Sequence, residues 1–297
     1  MIIRFFKFTK SLQLFVAIVL SFCIFLKFTI DEFSLSHFYS FSSFIIIFFL
    51  SIFIISKNTL LKNNQFTTFG LVVFSSIFFK SELDFSSVLS YLLLLLSVRK
   101  IYSLNSKKNI NKKLIDIGFW FSSSVIVQPV NIIYIISIIF GVYIFYKLDF
   151  LTFFKMLVGF LSSVLLGWIV QNIVVEEIIL SKFLYNQVDL ISSSFYYCIV
   201  CLNFFTTEII FTFIVIILFI YYLYKNFGTN LVARLKNLYL LIFFINSIAL
   251  IFFIETYLIF IFFPFLITLI KIITEQYRNW IFELVILIFI LINLYPF

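Results

Sequence analysis

Glycine, proline, histidine and charge are all scarce in this sequence of 297 residues, and each shortage removes a class of chemistry. Six glycines leave no P-loop, and no interior loop is long enough to hold an ATPase domain. The single histidine, His37, excludes His-rich metal enzymes unless carboxylates do the ligation, and there is no H-E-x-x-H. Three cysteines, Cys23, Cys198 and Cys201, make no disulfide framework. Only 11% of the residues are charged, where a soluble domain carries about 25%.

What is present is apolar. Hydrophobic residues make up 64% of the chain, 47 of them Phe, and the mean hydropathy is +1.20. One water-soluble core cannot hide that much apolar surface, so lipid is the solvent. The abundance of Phe, Ile, Lys, Asn and Tyr also fits an AT-rich genome. The net charge of +8 does not point to nucleic acid, because the cations sit at the ends of apolar segments rather than on a basic domain. There they orient helices and meet anionic headgroups.

The densest cationic stretch is 99–113, with Arg99, Lys100, Lys107, Lys108, Lys112 and Lys113 and no acid. Loops rich in Lys and Arg stay on the cytoplasmic side, so this one is expected to be cytoplasmic. A span needs about 20 apolar residues. The first run, Ser11–Ile30, follows Arg4, Lys7 and Lys10 and lacks a small-residue cleavage site, so it reads as an uncleaved anchor. Further spans are expected at Tyr39–Ser56, Phe66–Phe79, Leu83–Val98, Leu114–Gln128, Val130–Tyr146, Leu151–Val175, Phe204–Tyr224, Leu238–Ile254, Thr256–Ile270 and Trp280–Tyr295. The third and fourth are short enough to form a hairpin that does not fully cross. Leu190–Asn203 is too short for a full span, and 176–203 reads as a re-entrant or interfacial outer segment.

Alternation then places nearly all of the 21 Lys and Arg residues inside. Only Lys80 and Lys182 fall outside, with Lys27 in the first span. The expected architecture is an all-α polytopic transmembrane bundle of about 11 spans, a single integral membrane domain over 1–297, with the N-terminus cytoplasmic and the C-terminus outside.

Nine of the 13 acids sort oppositely, with Asp116, Asp149, Glu275 and Glu283 left on the inner side. Asp31, Glu32, Glu82, Asp84, Glu176, Glu177, Asp189, Glu208 and Glu255 all map to the outer side. They either solvate turns or build an outward site, where carboxylates could ligate a divalent metal or act as a general base. Asp31-Glu32 closes the first span six residues before His37. In layout this is similar to the multi-pass glycosyltransferases that use polyprenyl-phosphate sugars. That resemblance implies Asp31 or Glu32 as catalytic base, with Glu82, Asp84, Glu176 and Glu177 as further outer acids. His37, Lys80 and Lys182 would then hold phosphate. A divalent metal and a polyprenyl-phosphate lipid partner enter only with that resemblance; no other cofactor is implied. The outer loop Asp31–Phe38 is much shorter than that family's.

A second likeness covers most of the chain. The basic, Phe-rich start, the run LLLLLSVRKIYSL (Leu92–Leu104) and DIGFW (Asp116–Trp120) resemble an uncharacterised family of bacterial multi-pass inner-membrane proteins. It implies that location in the cell envelope and no reaction.

Other features read as structural. Cys198-x-x-Cys201 lacks a second pair and is expected to pack as two small side chains. Gln128-Pro129 and Asn131 are expected to form a turn between two helices, although interrupted helices also mark transporter sites. Glu208 and Glu283 lie near span boundaries. Gly159, Ser162, Ser163 and Gly167 form a small-residue stripe that points to close helix contact. Trp168, Tyr257, Trp280 and Tyr295 fit interfacial anchors.

The expectation for function is a non-catalytic scaffold or partner subunit in envelope biogenesis or export, binding lipid and another membrane protein. The lipid-linked glycosyltransferase is the alternative, and a transporter the third.

Overall fold

The computed structural model describes residues 11–29, 34–61, 66–79, 85–175, 207–226, 231–253 and 258–276. Among these every regular element is helical. The α-helices are α1 (Ser11–Thr29), α2 (Leu35–Lys57), α3 (Thr67–Phe78), α4 (Phe85–Ser103), α5 (Ile110–Val127), α6 (Ile135–Phe145), α7 (Phe150–Val175), α8 (Thr207–Asn226), α9 (Leu231–Phe253) and α10 (Phe262–Gln276). Short 3-10 helices cover Leu104–Ser106, Pro129–Tyr134 and Leu258–Ile261. Five segments are long and apolar enough to cross a membrane: Ser11–Thr29, Leu35–Lys57, Phe85–Ser106, Phe150–Val170 and Leu231–Ile251. They mark the chain as a multi-pass membrane protein.

Two helices outrun their expected limits. Arg99 and Lys100 do not end α4, which continues to Ser103, and Lys112 and Lys113 do not delay α5, which starts at Ile110. Lys and Arg are good helix formers, so charge sets the edge of the apolar stretch without setting the edge of the helix. By contrast α3 has 12 residues, about 18 Å at 1.5 Å per residue, well short of a 30 Å hydrocarbon core. The expected eleventh span, Trp280–Tyr295, and the segment Leu190–Asn203 lie outside the described residues.

The chain forms two compact units. The first comprises Met1–Phe85, Phe204–Asn230 and Ile261–Phe297. Its core is phenylalanine. Phe74 of α3 meets Phe262 at 4.8 Å and Phe265 at 5.7 Å on α10, and Phe44 of α2 stacks on Phe78 at 5.2 Å. Phe25 of α1 closes on Phe41 and Phe79. Every residue of α3 is buried. Its hydroxyls are satisfied within the helix: Ser75 donates to the Val72 carbonyl at 2.9 Å and Ser76 to Val73 at 2.8 Å. Pro264 is tolerated because it lies in the first turn of α10, where backbone donors have no helical partner.

The second unit comprises Ser86–Asn203 and Leu231–Phe260. Its frame is the pair α5 and α7. Asn111 meets Lys155, Ser122 meets Phe160, and Ser123 meets Ser163, so position advances in the same sense along both helices. They are therefore parallel, with α6 as the return. The contact is backbone to backbone. A Cβ on Gly118 would sit 2.0 Å from the Met156 carbonyl oxygen, and one on Gly159 would sit 2.0 Å from that of Ile115. Ser122 donates to the Phe160 carbonyl at 3.1 Å, and Ser123 and Ser163 share a 2.8 Å hydrogen bond. The stripe on α7 thus makes the helix contact expected of it, against Gly118 and Ser122 on α5. Small residues four apart on both helices permit this approach.

Candidate functional site

Most of the side chains singled out by sequence lie outside the described residues: Asp31, Glu32, Glu82, Asp84, Glu176, Glu177, Lys80 and Lys182, together with Cys198 and Cys201. His37 is described. It stands in the first turn of α2, half-buried, and its Nδ1 makes no hydrogen bond among the described residues. No group of three His, Cys, Asp or Glu side chains that could hold a metal occurs among the described residues.

Two other constellations are built within the second unit. The first is the basic end of the α5–α7 frame. Lys100, in the last turn of α4, pairs with Asp116 on the second turn of α5 at 2.5 Å. Lys113 reaches back to the Ser103 carbonyl at 2.5 Å and the Ser106 hydroxyl at 2.7 Å, tying the turn to α5. Partial burial, with the nearby Lys100 charge adding to it, lowers the Lys113 pKa. Lys107 and Asn109 take left-handed backbone conformations and reverse the chain between α4 and α5. At the start of α7, Lys147 pairs with Asp149, whose hydrogen bond and charge raise the lysine pKa. Thr152 caps the helix by accepting the Asp149 N–H at 2.9 Å. Lys155 donates to the Asn111 amide oxygen at 2.8 Å. Both acids at this end, Asp116 and Asp149, are already in ion pairs, so the positive charge of Lys108, Lys112 and Lys155 is not balanced among the described residues.

The second constellation is a buried polar seam. Gln128 is extended ahead of Pro129, which stops α5 by removing a backbone donor. In the 3-10 helix that follows, Asn131 and Tyr134 share a face, because residues three apart eclipse. Both are fully buried. Tyr134 Oη lies 2.9 Å from Ser247 Oγ on α9, and Ser247 itself donates to the Phe243 carbonyl, so the tyrosine is the donor. Tyr134 packs on Phe243 at 5.0 Å and Phe260 at 6.0 Å, and two turns along α9 Tyr239 stands edge-on to Tyr102 at 5.0 Å. Tyr239 Oη, Asn131 Oδ1 and Asn246 Nδ2 are buried with no hydrogen-bond partner among the described residues. At the start of α4, Ser86 donates to the Gln128 side-chain oxygen at 3.0 Å.

Gln128-Pro129 therefore makes the helix break expected of it, and Asn131 is part of a buried network as well as a turn. The α9 residues of that network were not singled out by sequence. Their signal was Asn246-Ser247, a polar pair in the middle of an otherwise apolar run. A polar pair inside hydrocarbon is costly unless it faces protein.

No family model, curated protein or solved structure matches this chain.

Proposed function

We propose that the chain is a non-catalytic component of the bacterial inner membrane, a scaffold or partner subunit in envelope biogenesis or export. The observation that supports this most is the outer flank of α7. One face of the helix is locked on α5 through Gly159 and Ser163. The opposite face exposes Phe150, Phe154, Leu161, Leu165 and Ile169, one apolar stripe along the helix. A helix whose rotation is fixed at the backbone presents that stripe in a constant orientation, as a partner-binding helix requires. The test is a photo-crosslinking amino acid at Leu161 or Leu165 in intact cells. The expected product is a defined adduct with another membrane protein. Adducts with lipid alone would remove the scaffold.

The polar seam favours a transporter as the second reading. Interrupted helices that line polar interiors are the usual substrate sites of transporters. Asn131, Tyr134, Tyr239, Asn246 and Ser247 are all neutral, so such a site would take an uncharged solute rather than an ion.

A further inference from the structure

The α5–α7 pair has two sides. One carries α6: Phe121 of α5 and Leu157 of α7 face the same gap as Ile135 and Ile139. The free cations of the pair stand on the other side. Lys112 lies nine positions before Phe121, and Lys155 lies two before Leu157. At 3.6 residues per turn each separation is about half a turn around its helix.

The head of that second side is polar. Lys155 donates across the helix contact to the Asn111 amide oxygen at 2.8 Å, which leaves the Asn111 nitrogen free to donate. Lys112 makes no ion pair among the described residues, and Lys155 has only this neutral partner. Asp116, a turn on from Lys112, is already held by Lys100.

Beyond the head the same side is hydrocarbon. Phe119 follows Lys112 by seven positions, and Ser162 and Leu166 follow Lys155 by seven and eleven, so each stays in line with the cation on its own helix. The Ser162 hydroxyl is used within α7, on the Gly159 carbonyl at 2.7 Å. Ile115, Val158 and Leu166 are exposed, so no described element covers this side. Because Gly118 and Gly159 bring the two backbones together, the rows flank a narrow crevice that runs down a helix long enough to span the bilayer. Two unbalanced ammonium groups and an amide donor at the head of an apolar crevice are complementary to a molecule with one anionic end and a hydrocarbon tail.

We infer that the side of α5–α7 away from α6 binds a single anionic phospholipid, its phosphate held by Lys112, Lys155 and Asn111 and an acyl chain lying along Phe119, Ser162 and Leu166. Basic sites between transmembrane helices hold anionic headgroups in this way. Leu161 is about a third of a turn around α7 from Lys155, so a partner on the outer flank and this lipid do not compete for one surface.

The test places the full chain in phosphatidylcholine nanodiscs with a trace of phosphatidylglycerol carrying a photoactivatable acyl chain, and a parallel sample with the same chain on phosphatidylcholine. Adducts mapped by mass spectrometry are expected on Phe119, Ser162 and Leu166, and more from the anionic lipid. Lys112→Gln with Lys155→Gln should abolish that preference. Lys107→Gln with Lys108→Gln removes the same charge from the exposed turn and should leave most of it. Leu166→Trp should fill the crevice and remove the adducts while circular dichroism stays unchanged. Equal labelling by both lipids, or adducts on the α6 side at Leu157 and Ile139, overturns the site. Equal losses from the two lysine pairs overturn it as well, since only the general surface potential is then at work. Adducts that survive Leu166→Trp overturn the crevice as the place of the acyl chain.

Discussion

At the scale of single residues, glycine carries more of this molecule than its six copies suggest. Gly118 and Gly159 each face a carbonyl of the opposing helix with no room for a methyl group. The obstruction is backbone, which cannot swing aside as a side chain can. Gly118→Val should therefore separate α5 from α7 and destabilise the chain by about 1–3 kcal/mol, the usual range for overpacking. Unfolding in mixed detergent micelles measures this directly. Gly70 makes a useful control. Its Cβ would meet only the end of the flexible Leu266 side chain, at 2.5 Å, so Gly70→Ala should cost less. The stripe on α7 was legible because Gly159, Ser162, Ser163 and Gly167 stand out in an apolar helix. Its partner was not, because Gly118 is a lone glycine within DIGFW and Ser122 one serine of an apolar span, with no repeated glycine to mark a face.

Among the elements, the two units solve the same burial problem with different chemistry. The first packs Phe on Phe around α3. The second puts hydroxyl and amide groups into the centre, on α9 and on the 3-10 helix after Pro129. Asn246→Leu separates the readings of that seam. If the seam only holds helices together, removing an amide nitrogen that has no partner among the described residues should leave stability unchanged or raise it by about 1 kcal/mol, since it relieves an unmet desolvation cost. If the seam conducts a solute, the same variant should retain its fold and lose uptake in proteoliposomes. The helices themselves were largely readable from apolar run length, which follows from the thickness of the bilayer. Their ends were less so. At Gln128 the proline fixed the boundary, whereas at Val98 charge was mistaken for one, because lysine and arginine at a membrane surface remain helical.

For the molecule as a whole, the parallel arrangement of α5 and α7 bears on topology. Their starts lie together, at the turn 107–109 and the loop 146–149, and toward its end α5 is level with Gly167, which faces Ile126. In a chain whose native cysteines are replaced, Lys108→Cys and Lys147→Cys should react with an impermeant thiol reagent from one side of the membrane. Gln128→Cys and Asn172→Cys should react from the other. If Lys108 and Lys147 label from opposite sides, the frame is wrong. Labelling of the first pair from the cytoplasm would fix the sidedness expected from the basic stretch 99–113. For the acids expected on the outer side, Asp31 and Glu32 among them, the side is tested by the same labelling at their own positions. Their geometry was beyond sequence, because nothing in spacing alone says whether acids at separate helix ends converge.

The parallel clasp also imposes an order of events during synthesis. Neighbours in a hairpin can meet as soon as the turn is made. Ser123 and Ser163 are separated by 40 positions and cannot meet until α6 has been made and the chain has turned back into α7. At about 5–20 residues per second, α5 waits roughly 2–8 s with its glycine face unoccupied. During that interval the face is open to any other helix with small residues.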